Sequence, residues 1–251
     1  MQTVINGVLT NYEVVNPKAK KTALLLHGWG SDSSYWLSEI KLLTDNYSYY
    51  LLDLPGFGGT QPLKPNSDVP EYREFVKAFI EKQKLENLIL IGHSFGGQIA
   101  ADFAIKYPKL IKTLIFISPA IVRVRGRKVW LKIAVTKVIK PIIRLFPIPV
   151  INFILGLYAP KDYVKANEYQ KSVLNQILKY NLGLKIKEIN VPTEIIWGSE
   201  DKVIPFMGKY LVENIPNANL HLIYGTGHLP HLTHPQKLAN AINQILIHEP
   251  T

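Results

Sequence analysis

Through the first half of the chain, short unbroken apolar runs alternate with longer stretches whose apolar residues recur every three or four positions. TALLLHG (22–28), YSYYLLDL (47–54), NLILIG (87–92) and LIKTLIFIS (110–118) read as strands buried on both faces. Between them, SSYWLSEIKLLTD and VPEYREFVKAFIEKQK carry helical spacing, the second starting at Asp68 or Pro70. After Ser118 the rhythm breaks. From 120 to 185 no strand-like run occurs, only helical stretches interrupted by Pro141, Pro147, Pro149 and Pro160. Alternation resumes with TEIIWG (193–198), a helix near 205–214, NLHLIYG (219–225) and a last helix near 235–247. This pattern predicts an α/β protein with a mostly parallel central sheet flanked by helices. Its core comprises 1–119 and 186–251, and a helical cap, 120–185, is inserted after the sixth strand.

The third of those runs ends in a knot of small residues. Gly92-His93-Ser94-Phe95-Gly96 fits G-x-S-x-G between a predicted strand and a predicted helix, the context of a nucleophile elbow. A serine at so tight a turn is strained, so its neighbours two positions away must lack side chains; Gly92 and Gly96, with Gly97 beyond, meet that need. The dinucleotide and P-loop glycine patterns are absent.

A serine hydroxyl is a weak nucleophile and needs a base, itself oriented by an acid. WGSEDKVIP places Asp201 just past one predicted strand, and YGTGHLPHLTHP places His228 just past the next, both at carboxyl ends where open α/β sheets hold ligands. Glu200 is the competing acid. His231 and His234 follow His228 at spacings that a metal site could use, but no carboxylate or cysteine completes one, and no metal is predicted. His93 is read as a structural or pocket residue. Acyl transfer also needs N–H donors for the oxyanion. The backbone N–H groups of Phe95 and of Trp29 are the candidates, the latter in LLLHGWG, where Gly28 and Gly30 allow the loop its geometry.

Composition narrows the field further. Hydrophobic residues make up 47% of the 251 and charged residues 19%, a globular balance. With no cysteine there is no disulfide, thiol nucleophile or cysteine-ligated zinc. The N-terminus shows no basic and apolar signal pattern, which predicts a cytoplasmic protein. The net charge of +10 is concentrated: Arg123, Arg125, Arg127, Lys128, Lys132, Lys137, Lys140 and Arg144 occur without one acidic residue between Ile121 and Arg144. A helix there would set Lys128, Lys132, Lys137 and Lys140 against Trp130, Leu131, Ala134, Val135 and Val138. Such a surface reads as a solvated basic face over an apolar face that roofs the site, and it also suits an acidic carrier protein or an anionic lipid surface. Without a reading module it does not suit nucleic acid.

HGWG, DLPGFGGT (53–60), GHSFGG, WGSEDKVIP and GTGHLPHLTHP, in this order, resemble the α/β-hydrolase fold superfamily along nearly the whole chain. HGWG followed by a Trp and then DLPGFG resembles, within it, BioH-type pimeloyl-[acyl-carrier protein] methyl ester esterases, although their elbows often carry Trp where His93 stands. The resemblance implies Ser94 as nucleophile, Asp201 as acid, His228 as base, and Trp29 and Phe95 as oxyanion donors. It implies hydrolysis of a carboxylic ester, acyl-carrier-linked or of short-to-medium acyl length, through an acyl-enzyme and without a cofactor. Haloalkane dehalogenases and epoxide hydrolases share the fold but use an Asp nucleophile. The same triad would also serve a C–C bond hydrolase of vinylogous diketones or a cofactor-free perhydrolase. A receptor that kept only the fold would not need the triad.

Overall fold

The computed structural model describes residues 1–122, 163 and 165–248. Eight strands form one sheet in the order β1-β2-β4-β3-β5-β6-β7-β8. They are β1 (Gln2–Ile5), β2 (Val8–Val15), β3 (Lys21–Leu26), β4 (Tyr47–Leu52), β5 (Leu88–His93), β6 (Ile111–Ile117), β7 (Thr193–Gly198) and β8 (Ala218–Ile223). β1 and β2 pair antiparallel to their neighbours, and every pairing from β3 onward is parallel. The helices of the described residues are α1 (Leu37–Ile40), α2 (Val69–Gln83), α3 (Phe95–Lys106), α4 (Glu168–Lys179), α5 (Gly208–Asn214), α6 (Pro230–Thr233) and α7 (Pro235–His248).

The unbroken apolar runs have the cause inferred from them. On β3, Leu24 and Leu26 face one core and Ala23 and Leu25 the other. Leu88 and Leu90 alternate in the same way with Ile89 and Ile91 on β5, as do Leu114 and Phe116 with Ile115 and Ile117 on β6. With helices over both faces, a central parallel strand has no polar side to show. α2 and α3 cover one face through Phe75, Phe79, Ile99 and Phe103, and α7 covers the other through Leu238, Ile242 and Leu246.

Two elements differ from the expectation. The sheet starts earlier than the apolar runs predict, with a hairpin joining β1 to β2. Its turn is Asn6-Gly7, with φ of 47° and 83°, the double left-handed geometry that a two-residue hairpin requires. Conversely, SSYWLSEIKLLTD forms only a 3-10 turn, Ser33–Trp36, and the single helical turn of α1. Past Ile40 the backbone finds another partner, because Asn243 of α7 accepts from the Thr44 N–H at 2.9 Å and donates to the Leu42 carbonyl at 2.8 Å. Side-chain capture replaces the next helical turn.

Of the predicted cap segment 120–185, the described part includes α4, and the eight basic positions from Arg123 to Arg144 lie outside the described residues. No helix among the described residues is long and apolar enough to cross a membrane.

α2 starts where the sequence places it. Asp68 accepts from the Glu71 N–H at 3.1 Å and the Glu71 carboxylate accepts from the Asp68 N–H at 3.0 Å, a reciprocal capping box. Asp68→Ala should therefore lower stability by about 1 kcal/mol, read as a shift of the urea midpoint at unchanged slope.

Candidate active site

The strand order brings four chain segments to one edge of the sheet. β5 is flanked by β3 and β6, with Gly92 opposite Leu26 and Phe116. The loops leaving β3, β5, β7 and β8 all leave from carboxyl ends, and each carries one part of the candidate site.

Ser94 stands between β5 and α3 with φ 51° and ψ −108°. This left-handed backbone is costly for a residue with a Cβ and is tolerated where the surroundings enforce it. The enforcement is backbone on backbone. A Cβ on Gly92 would lie 2.6 Å from the Gly96 carbonyl oxygen and 2.7 Å from Gly97 Cα, and a Cβ on Gly96 would overlap the Leu26 carbonyl. A Cβ on Gly97 would lie 2.8 Å from Pro119 Cβ. Two hydrogen bonds tie the corner to its neighbours, Ser94 N–H to the Ile117 carbonyl at 3.0 Å and Gly96 N–H to the His27 carbonyl at 3.1 Å.

His228 Nε2 lies 3.1 Å from Ser94 Oγ, and its Nδ1 lies 2.8 Å from Asp201 Oδ2. The residues expected as nucleophile, base and acid are thus in hydrogen-bonding sequence. The Asp201 side chain is 1% exposed. Burial pushes its carboxyl up, but the hydrogen bond and charge of His228 and the N–H groups of Ile204 and Val203 outweigh this and hold it below the ordinary range. A carboxylate only accepts, so Nδ1–H of His228 donates to it, and the neutral ring keeps Nε2 free to accept from the serine hydroxyl. Glu200 is exposed and contributes only its backbone here, donating to the Thr226 carbonyl at 2.8 Å.

Among the described residues the N–H groups of Trp29 and Phe95 have no acceptor. The Phe95 ring is buried edge-on against Tyr72, with centroids 5.1 Å apart. The Trp29 indole donates to the Gln170 carbonyl of α4 at 2.9 Å. Gly30, at φ 78°, turns the loop away after it.

Several contributors were given no role by the sequence. His27 Nδ1–H donates to the Gly28 carbonyl at 2.8 Å, and His27 Nε2 accepts from the Leu54 N–H at 2.9 Å. Because a peptide group is planar, holding the Gly28 carbonyl also aims the Trp29 N–H on its other side. Burial lowers the pKa of His27, consistent with this neutral bridge. Asp53 accepts from the N–H groups of Ser33 and Gly59, each at 2.7 Å, and so joins the β3 loop to DLPGFGGT. α4 is fastened over this region: Gln170 donates to the Gly56 carbonyl at 3.0 Å, and Gln98 donates to the Tyr180 carbonyl at 2.9 Å. Tyr180 donates to Asp102 at 2.6 Å, and Asp102 also pairs with Arg73 at 2.6 Å.

His231 is buried against Trp36, with ring centroids 5.1 Å apart, and its pKa is pushed down to about 4 by burial and by the neighbouring His228. His234 instead meets the Thr233 hydroxyl. Among the described residues no three histidine or carboxylate side chains group as metal ligands.

The profile of the alpha/beta hydrolase family matches residues 23–241, and the chain belongs to that family. Monoacylglycerol lipase ABHD6 of Homo sapiens is 27% identical over 261 residues, which cover 92% of this chain and 76% of that protein. The biotin biosynthesis bifunctional protein BioHC of Teredinibacter turnerae is 26% identical over 270 residues, 94% of this chain and 46% of that one. The crystal structure of a membrane phospholipase A described as a bacterial virulence factor superposes with a TM-score of 0.79 at 23% identity, over 98% of this chain and 85% of that one.

The depressed carboxyl of Asp201 carries a pH signature. Its contribution to stability is complete above its unfolded pKa, about 4, and is lost as pH falls through the lower folded value. The stability gap between wild type and Asp201→Asn should therefore narrow as the pH drops from about 5 to 3. Urea midpoints across that range measure it.

Proposed function

We propose that this alpha/beta hydrolase is a carboxylic ester hydrolase that works through an acyl-enzyme on Ser94. The observation that carries the reading is the continuous relay from Ser94 Oγ through His228 to the buried Asp201, at 3.1 and 2.8 Å.

In the first half-reaction the Ser94 proton passes to His228 Nε2 while Oγ bonds to the ester carbonyl carbon. The carbonyl electron pair moves onto oxygen, where the N–H groups of Trp29 and Phe95 receive the charge. Donors fixed before the reaction stabilise that charge without reorganising. Collapse of the intermediate breaks the bond to the alcohol, and His228 gives its proton to the departing oxygen. A water then attacks the acyl-enzyme, losing its proton to the same nitrogen. Collapse returns that proton to Ser94 Oγ and frees the acid. Throughout, Asp201 keeps the imidazole in the Nδ1–H tautomer and balances its transient positive charge. The sequence requires no metal or organic cofactor.

The chain's likeness to a monoacylglycerol lipase supports an ester with an apolar acyl chain. Segment 120–185, entering after β6 and returning through α4, is proposed to roof the acyl pocket. Its basic face is proposed as the surface that meets an anionic lipid surface or an acidic carrier.

The decisive comparison is kcat/KM for a monoacylglycerol and for the same acyl group as a methyl ester on acyl carrier protein, each at low and high salt. Turnover of either supports the esterase reading, and the preferred partner identifies the cargo; turnover of neither contradicts it. On the preferred ester, Asp201→Asn should lose on the order of 10³–10⁴ in kcat. The exposed neighbour's variant, Glu200→Gln, should stay within about twofold of wild type.

A further inference from the structure

We propose that His93 is a positioning residue for the base: its Nε2–H holds the backbone carbonyl of His228 and thereby sets the distance from the His228 imidazole to Ser94. This rests on the esterase reading above and adds a residue to it.

His93 Nε2 lies 2.9 Å from the His228 carbonyl oxygen, and the side chain belongs to a residue that is 2% exposed. A carbonyl only accepts, so the proton sits on Nε2 and the neutral ring leaves Nδ1 bare. Nδ1 has no hydrogen-bond partner among the described residues and faces Gly28, where a Cβ would come within 2.8 Å of it. The ring is held in that orientation on its other sides by His228 at 4.9 Å, His231 at 4.6 Å and the edge of Trp36 at 6.4 Å. Turning it over would withdraw the donor from the carbonyl. The same arrangement rules His93 out as a second base, since its protonated nitrogen is engaged and its bare nitrogen points at the Gly28 backbone.

The consequence is geometric. His228 follows a glycine-flanked turn, with Gly225 at φ 73°. That turn is tied back upstream by the Thr226 hydroxyl on the Ile223 carbonyl at 2.8 Å and by the Glu200 N–H on the Thr226 carbonyl. Downstream, α6 begins at Pro230. At His228 itself the backbone anchor is His93, which is covalently next to Ser94. One dipeptide therefore presents the nucleophile and holds the main chain of its base, so movement of the elbow carries both reacting atoms together. Gly28 has a second use in this arrangement: it leaves room for the ring as well as shaping the loop that carries Trp29.

The test compares wild type with His93→Gln, His93→Asn and His93→Phe on a soluble chromogenic ester. Gln carries its amide nitrogen to the place of Nε2, Asn only to the place of Nδ1, and Phe fills the ring's space with no donor. We expect His93→Asn and His93→Phe to lose about 10- to 100-fold in kcat, and His93→Gln to recover to within about threefold, with KM near wild type throughout. Thermal unfolding identifies any variant that is merely destabilised. The downfield proton resonance of His228 Nδ1–H should shift or broaden in the Asn and Phe variants and not in the Gln variant. Wild-type kcat in His93→Phe would overturn the proposal, as would losses that follow stability and are no smaller in His93→Gln. Should the wild-type enzyme itself turn over no ester, the esterase reading fails instead, and the proton resonance alone decides the positioning role.

Discussion

Everything at the candidate site depends on one strained residue. Ser94 occupies a left-handed backbone conformation because β5 and α3 meet too closely for any other path, and Gly92 and Gly96 make that approach sterically feasible. The strain is held by contacts that have no slack, since the atoms facing the two glycines are backbone. What results is a hydroxyl lifted off the sheet at the start of a helix, where free N–H groups favour negative charge. The strain thus lies at the point where chemistry is expected and is held in place by the most rigid part of the fold.

From that corner the rest follows by strand order. β5 lies at the middle of the parallel sheet, so the loop after β3 supplies Trp29 on one side, while the loops after β7 and β8 supply Asp201 and His228 on the other. Ser94 lies more than a hundred residues before both Asp201 and His228 in the chain. They need only leave the carboxyl ends of strands in one parallel sheet to meet, which is why open α/β sheets concentrate function there. Polar clamps then refine the positions: His27 on the Gly28 carbonyl, Asp53 on two loop N–H groups, and His93 on the His228 carbonyl. Each is a buried group with at least one hydrogen bond to a separate chain segment, His27 through the Leu54 N–H, the kind of bond that fixes geometry because leaving it unmade is costly.

What was legible in the sequence, and what was not, divides along the same line. The sheet from β3 onward could be read because strands buried on both faces leave unbroken apolar runs. Ser94 and its glycines could be read because steric rules act over a few residues. Asp201 and His228 could be ordered after Ser94 because each follows a strand. Asn6-Gly7 carries a strong local hairpin signal, yet its flanking strands are largely half-exposed and mix polar with apolar residues, so apolar runs alone do not disclose them. The shortness of α1 was not legible, because it depends on Asn243, about two hundred residues away. His27 and Asp53 stand in HGWG and DLPGFGGT, but their roles, like that of Tyr180, were silent for the same reason: their partners are set by tertiary contacts. His93 stood beside Ser94 in plain view, but its partner became visible only when β5 and the loop after β8 were brought together.

The most direct measurement is covalent. A fluorophosphonate that reacts with activated serines should label the folded protein once, at Ser94 on peptide mapping. Labelling should vanish in Ser94→Ala and slow sharply in His228→Ala. An unlabelled Ser94 in folded protein, or ester turnover that persists in Ser94→Ala, would contradict the account at its centre.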